Sequence, residues 1–296
     1  MIGFVYKLIV SLSKRLGIWV FKGFSWWIAT GYFFFIPGRV ALSIRFYKAL
    51  FPDRGFFHHF RCAWRQYHNF TTVYMDRFLL QHTGDISCTR TGWEHLHEAL
   101  DKGTGGILLM SHMGSWEIAA HLLKLKGFRL LLYLGEKHRE QIERTQKQSL
   151  QDLGVKIVAV SPDGGSPFDI VEGIQFLREG GFVSLTGDRL WSEGQRSVAV
   201  KFLGHRVDLP EAPHIFALLS GAPLFMFFVS RKGDRSYHLI VSEPQYVKAA
   251  SREGRRKAVA DSAQAYADML EREVRRRPDE WYHFEPFLGP KLDDVD

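Results

Sequence analysis

Short apolar runs alternating with helical stretches fill the chain from about residue 105 to 241, and no other feature restricts the fold as much. Residues 107–110, 130–134, 155–160, 182–186, 198–202 and 224–229 are runs of four to six residues rich in Leu, Val, Ile and Phe. Runs this short and apolar suit strands buried on both faces of a parallel sheet. Between them lie helical patterns over 137–153 (polar, closed by Gly154), 168–178 and 211–219, with 237–241 as an edge strand. Residues 92–102 place Trp93, Leu96 and Leu100 on one helical face. Residues 255–277 do the same with Val259, Ala263, Tyr266, Leu270 and Val274 beneath a basic outer face. The expected fold is α/β, a mainly parallel central sheet flanked by helices.

The amino-terminal part differs in kind. Residues 17–36 (GIWVFKGFSWWIATGYFFFI) carry one charge, Lys22, over about the length that crosses a bilayer core. Trp26, Trp27, Tyr32 and Phe33–Phe35 are of the types enriched at headgroup depth. The run is too long and bulky for a secretory signal. It reads as a hydrophobic membrane helix, spanning or interfacial, with a buried core helix as the alternative. Basic residues stand on both sides (Lys7, Lys14 and Arg15 before; Arg39, Arg45 and Lys48 after), so charge sets no orientation. The expected organisation is a membrane-anchoring helical segment over 1–50 and an α/β domain over 51–296. The helical pattern over 56–80 carries His58, His59 and His68, but no carboxylate or cysteine at ligand spacing, so they read as solvated or interfacial histidines and no metal site is expected. Asp76 and Arg77 read as a helix-face pair.

A formal charge of +7 suits an anionic membrane, a nucleic acid or an acidic protein. No nucleic-acid module accompanies it. There is no GxSxG elbow and no P-loop; Gly164-Gly165-Ser166 lacks the lysine and reads as a loop. Cys62 and Cys88 give neither a disulfide framework nor a metal pair, as befits a reducing compartment.

Three constellations could carry chemistry. His112 ends the run at 107–110, Gly114 allows a tight turn, and Ser115 and Glu117 open the following helix. An imidazole base whose other nitrogen meets a carboxylate can take a proton from a hydroxyl. On spacing alone, Glu117 could equally complement the helix dipole while His112 is an ordinary histidine at a sheet edge. Asp188-Arg189 follows the run at 182–186, where α/β folds bind ligands; Arg189 could hold a phosphate or oxyanion, or the two could be a surface ion pair. Lys137, His138, Arg139, Arg144, Lys147, Arg196, Lys201 and Arg206 could form a basic rim for an acidic partner.

The stretch TGWEHLHEALDKGTGGILLMSHMGSWEIAAHLL resembles the core signature of the bacterial lipid A biosynthesis acyltransferases, in the lysophospholipid acyltransferase superfamily. His112, Gly114, Trp116 and Glu117 fall in its motif, with Ser115 where asparagine is usual. LREGGFVSLTGDR, VKFLGHRVDLPEAPHIFALLSGAPLFMFFVSR and RRRPDEWYHFEPF are similar to the family's later blocks, with Tyr282 and His283 departing from the usual residues in the last. The resemblance implies a membrane-bound O-acyltransferase at the cytoplasmic face of the inner membrane, in which His112 deprotonates an acceptor hydroxyl while Glu117 holds the imidazole. Asp188, Arg189, Gly114 and Ser115 would bind substrate or the oxyanion, Asp188 orienting Arg189 or assisting the acceptor. It implies an acyl-acyl carrier protein donor, a lipid A precursor as acceptor and anionic membrane lipid as a partner, with no metal, no cofactor and no acyl-enzyme. Another acceptor (a glycolipid, lysophospholipid or amino-acid lipid) or a non-catalytic module binding acylated carrier protein are the rival readings. Apolar residues near Phe182, Trp191 or Phe225 would measure chain length.

Overall fold

In the computed structural model, residues 11–13, 15–82, 86–135, 148, 150–160, 167–192, 194–233 and 235–292 are described. Lys7, Lys14, the rim residues Lys137, His138, Arg139, Arg144 and Lys147, and the Gly164–Ser166 loop fall outside them, as does most of the expected helix over 137–153.

Nine strands are described: β1 (Ser87–Thr91), β2 (Gly106–Met110), β3 (Leu130–Gly135), β4 (Lys156–Val160), β5 (Phe182–Thr186), β6 (Ser197–Phe202), β7 (His205–Pro210), β8 (Leu224–Gly233) and β9 (Ser236–Val241). Eight α-helices accompany them: α1 (Ile18–Phe35), α2 (Pro37–Leu50), α3 (Phe56–His82), α4 (Trp93–Asp101), α5 (Trp116–Leu125), α6 (Pro167–Arg178), α7 (Ala212–Ser220) and α8 (Gly254–Arg276). Seven strands form one sheet in the order β1-β9-β8-β2-β5-β3-β4. From β8 to β4 all pairs are parallel; β9 runs antiparallel to β8, and β1 parallel to β9.

The α/β expectation holds, with two corrections. The strand over 237–241 is not an edge, because β1 lies outside it. Ser-Cys-Thr-Arg-Thr has no apolar run to announce a strand, and an exposed edge does not need one. The run at 198–202 does not continue the central sheet. It pairs with β7 in a separate antiparallel hairpin, turned through Leu203 and Gly204 at φ 50° and 74°. Two successive positive φ values make the tight turn whose twist suits a two-residue hairpin loop. Its strict alternation of covered Val198, Val200 and Phe202 with exposed neighbours marks a sheet wetted on one face.

The central strands are covered on both sides. Ile107 and Leu109 of β2, with Met226 and Phe228 of β8, face one core that includes Tyr266 and Leu270 of α8. Leu108 and Met110, with Phe225 and Phe227, face the other, closed by α4 and α5. Phe182 and Phe225 sit in this second core.

No single described helix is long and apolar enough to cross a membrane; α1 and α2 pass that test of length and composition only as a pair bent by 91°. Pro37 at the start of α2 fits the break. Val20, Phe21, Ala29 and Phe33 give α1 a buried face, and Phe33 packs edge-on against Phe60, Trp64 and Tyr67 of α3. Its other face leaves Trp19, Trp27, Phe34 and Phe35 exposed. Phe46 and Tyr47 of α2 share the core of the sheet's α8 side.

His58, His59 and His68 of α3 have protein partners. His59 bonds the Phe51 carbonyl, His68 lies between the Trp64 carbonyl and Thr30, and His58 approaches Cys62 Sγ. Asp76 pairs with Arg231 Nε at 3.3 Å across to β8; the side chain of Arg77, expected to pair with it on the helix face, is not among those described.

Candidate active site

The site sits where β2 and β5 end side by side. Met110 is in register with Thr186, so His112 and Asp188, each two residues further on, come out as neighbours. His112 Nδ1 lies 2.7 Å from Asp188 Oδ1, and the His112 backbone N–H donates to Asp188 Oδ2 at 2.8 Å. A third donor, Trp281 Nε1, reaches Oδ2 at 2.8 Å. Asp188 is fully buried. Burial alone would raise its pKa; the His112 ring, and more weakly His283 and the Trp281 N–H, reverse that and hold it well below the usual carboxylate range. A buried carboxylate is tolerable only with donors of this kind. Because ionised Asp188 can only accept, Nδ1 of His112 carries the proton and Nε2 is left as the basic nitrogen. The His112 side chain is 23% exposed, so that nitrogen belongs to a reachable ring.

This changes the expected dyad. The carboxylate on His112 Nδ1 is Asp188. Glu117 is buried in the first turn of α5, where a negative charge complements the helix dipole. Asp188 was expected to orient Arg189 or assist the acceptor; instead all three of the contacts above tie it to the base and its support.

The turn itself is fixed by its backbone. Gly114 has φ +64°, and a Cβ there would run into the Val229 carbonyl of β8. Its N–H donates to the Glu280 carbonyl at 2.9 Å, so this amide is spent on structure and does not serve the oxyanion as expected. Ser115 takes the N-cap position of α5, buried, with no side-chain capping bond. Tyr266 Oη and the Gly187 N–H both donate to the Met110 carbonyl, locking the ends of β2 and β5 together.

Residues missing from the expected set come from the segment 278–283. Tyr282 N–H donates to the His112 carbonyl, Met113 bridges Trp281, and buried Gln66 holds the Trp281 carbonyl at 2.6 Å. The segment is thus a strap across the turn, bringing Trp281 to Asp188 and His283 beside His112, with ring centroids 6.4 Å apart. The likeness of RRRPDEWYHFEPF to the family's closing block marked this segment without giving its residues a role.

Arg189 is 13% exposed, its Nε 3.5 Å from Glu285 Oε2, an ionic contact too long to be a good hydrogen bond. Trp191 stands 6.4 Å from the His112 ring, its indole lying against Gly135 so closely that a Cβ at 135 would collide with it. Of the three aromatic residues expected to line an acyl chain, Trp191 therefore borders the base, while Phe182 and Phe225 belong to the core. The described rim residues, Arg196, Lys201 and Arg206, are exposed at the β6–β7 hairpin.

Residues 63–288 match the bacterial lipid A biosynthesis acyltransferases. The chain belongs to that family. The matched span takes in His112, Glu117, Asp188, Arg189, Trp281 and His283. Among curated proteins, this family member is similar to the phosphatidylinositol mannoside acyltransferase of Mycolicibacterium smegmatis, 24% identical over 198 residues, 65% of this chain and 60% of the relative. The enzyme of that name from Mycobacterium tuberculosis is 24% identical over 195 residues, 66% of this chain and 58% of the relative. The alignment thus spans about three-fifths of the length of these relatives.

Proposed function

We propose that this protein is a membrane-associated O-acyltransferase that moves a fatty acyl chain from a thioester donor to a hydroxyl of a sugar-bearing lipid. The observation that carries the reading is the His112–Asp188 pair at the ends of β2 and β5, inside the family-matched span. His112 Nε2 takes the acceptor hydroxyl proton, and the oxygen attacks the thioester carbonyl carbon. Asp188 holds the ring in the required tautomer and stabilises the imidazolium. The tetrahedral oxyanion is met by Arg189, helped by the amino-terminal end of α5 beside the turn. On collapse the carbon–sulfur bond breaks, and the imidazolium returns its proton to the departing thiolate. Glu117 acts as a positioning carboxylate at the start of α5. No covalent acyl-enzyme, metal or cofactor enters this scheme.

The family's description and the relatives' names supply the acceptor class: a lipid A precursor or a phosphatidylinositol mannoside. Exposed Arg196, Lys201 and Arg206 suit an acidic acyl carrier protein as donor. The exposed aromatic face of α1 suits insertion at headgroup depth, which would set the site at the cytoplasmic face of an inner membrane rich in anionic lipid.

The test is to incubate purified full-length protein with acyl-acyl carrier protein or acyl-coenzyme A of several chain lengths. Phosphatidylinositol mannoside, a lipid A precursor and a lysophospholipid are offered as acceptors, and products are followed by mass. One acceptor should gain an acyl chain, and His112→Ala should cut the rate by about a thousandfold or more while vesicle binding persists. Transfer by His112→Ala at the wild-type rate would remove His112 as the base, whereas absence of transfer by the wild type to every acceptor offered would leave a lipid- or carrier-binding module.

A further inference from the structure

The exposed aromatic residues of α1 do not stand alone. Trp27 and Phe35 of α1 are 70% and 86% exposed, and Phe56 and Phe57 at the start of α3 are 61% and 87% exposed. An unbroken run of ring contacts joins the two groups: Phe34 to Phe33, Phe33 to Phe60, Phe60 to Phe56 and Phe56 to Phe57, with centroids 5.1 to 6.2 Å apart. Trp64 of α3 likewise ties Phe34 to Trp26, which meets Trp27. Two helices thus present one aromatic surface, and a contiguous apolar patch left facing water marks a binding face. The segments that build it carry one sign of charge. Over residues 1–75 Asp53 is the only acidic residue, against ten lysines and arginines, of which Arg15, Lys22, Arg39, Arg54 and Arg61 are exposed.

We propose that α1 and the start of α3 form one docking surface for the headgroup layer of an anionic bilayer, with α1 lying in the membrane plane and Phe56-Phe57 entering beside it. This rests on the membrane association proposed above and not on the chemistry of transfer. Aromatic side chains with lysine and arginine among them hold a helix at that depth through buried apolar area and attraction to anionic lipid together. A second copy of this chain would set the same cations against one another, so the charge favours lipid over self-association.

Packing decides how α1 lies. Its inner face is committed to α3: Phe33 meets Trp64 and Tyr67 edge-on, Trp26 meets His68, and Thr30 Oγ1 lies 3.1 Å from His68 Nε2. The chain then bends by 91° into α2, which buries Phe46 and Tyr47 in the core. To cross a bilayer, α1 would have to carry α3, with Arg61 and Arg65, into hydrocarbon, or leave α3 and uncover Phe33 and Thr30. Lying flat keeps these contacts. It also holds the site close to the membrane, since Gln66 of α3, which bonds the Trp281 carbonyl, is only about 15 Å of helix rise from Phe56.

Full-length protein is mixed with vesicles of phosphatidylglycerol and, separately, of phosphatidylcholine, and bound protein is measured by flotation. The wild type should prefer the anionic vesicles by about tenfold or more, and less at high salt. Phe56→Ser/Phe57→Ser should weaken that binding by about tenfold or more at an unchanged thermal midpoint. Arg54→Glu/Arg61→Glu should weaken binding to the anionic vesicles alone, and it carries the test if the phenylalanine variant is destabilised. Depth is read from quenching by bromines placed along the lipid chains. Trp27 stands at the middle of α1, so the tryptophan quenching that Trp27→Phe removes should be strongest with bromines near the headgroup. Quenching strongest from the chain ends would mean a spanning helix and overturn the in-plane placement. Unchanged vesicle binding by the variants would overturn the docking surface, and a dimer lost in sedimentation at the same time would assign it to a second copy. Equal binding of the wild type to both vesicles would overturn the choice of anionic lipid. A wild type that binds neither would remove membrane association altogether, while acyl transfer is judged separately by the acceptor panel.

Discussion

Two buried carboxylates flank the turn that carries His112, and they belong to different kinds of region. Glu117 opens α5, five residues along the same strand–turn–helix, in the positive field of a helix amino terminus. Asp188 comes 76 residues after His112, at the end of the neighbouring strand, and receives three donors from the turn after β2 and the strap. The first lies in the opening turn of the helix that follows the base. The second is where base, strand ends and strap are joined, so its charge orders the site. Closeness in sequence is a poor guide to which carboxylate orients a base; strand register is a better one.

The difference can be measured. Asp188→Asn should lower kcat/KM by about a hundred- to ten-thousandfold, because an amide can present its NH2 to the ring and select the wrong tautomer. Glu117→Gln should cost at least tenfold less. Equal losses, with both variants folded, would break the comparison. Trp281→Phe removes one donor to Asp188 and keeps the ring; an outer hydrogen bond of this kind is worth about tenfold or somewhat more in activity. If that variant were indistinguishable from wild type in kcat/KM, the strap would be packing only.

Much of this was legible in the residues. The apolar runs located the parallel strands, and His112, Gly114 and Asp188 were named from their positions at strand ends. What local patterns could not supply was the pairing of Met110 with Thr186, which is set by tertiary packing and brings Asp188 under the imidazole. For the same reason spacing alone left the role of Glu117 open, and it was the family resemblance that placed it on the imidazole. Trp281 and His283 were visible only within a block similar to the family's closing segment, without a role, since the strap's identity lies in backbone bonds to His112 and Gly114. The β6–β7 hairpin, by contrast, was written in the alternation of SVAVKF and read too generously as a central strand.

A smaller effect concerns stability. His214, bonded to Ser262 beneath α8, and His283 are both lowered by burial from 6.5 to about 4. The folded protein refuses protons that the unfolded chain accepts. Their contribution is therefore full above about pH 6.5, shrinks as the pH falls, and is lost by about pH 4. Urea midpoints should decline across that window, and His214→Gln should flatten the decline; a slope unchanged in the variant would mean that His214 charges freely in the folded state.

The pairing of His112 with Asp188 is tested most directly by nitrogen-15 NMR of histidine-labelled protein at neutral pH. The account predicts His112 as the Nδ1–H tautomer, with a downfield ring proton that Asp188→Asn abolishes and Glu117→Gln leaves in place. A ring that keeps its tautomer and proton shift in Asp188→Asn, or loses them in Glu117→Gln, would contradict it.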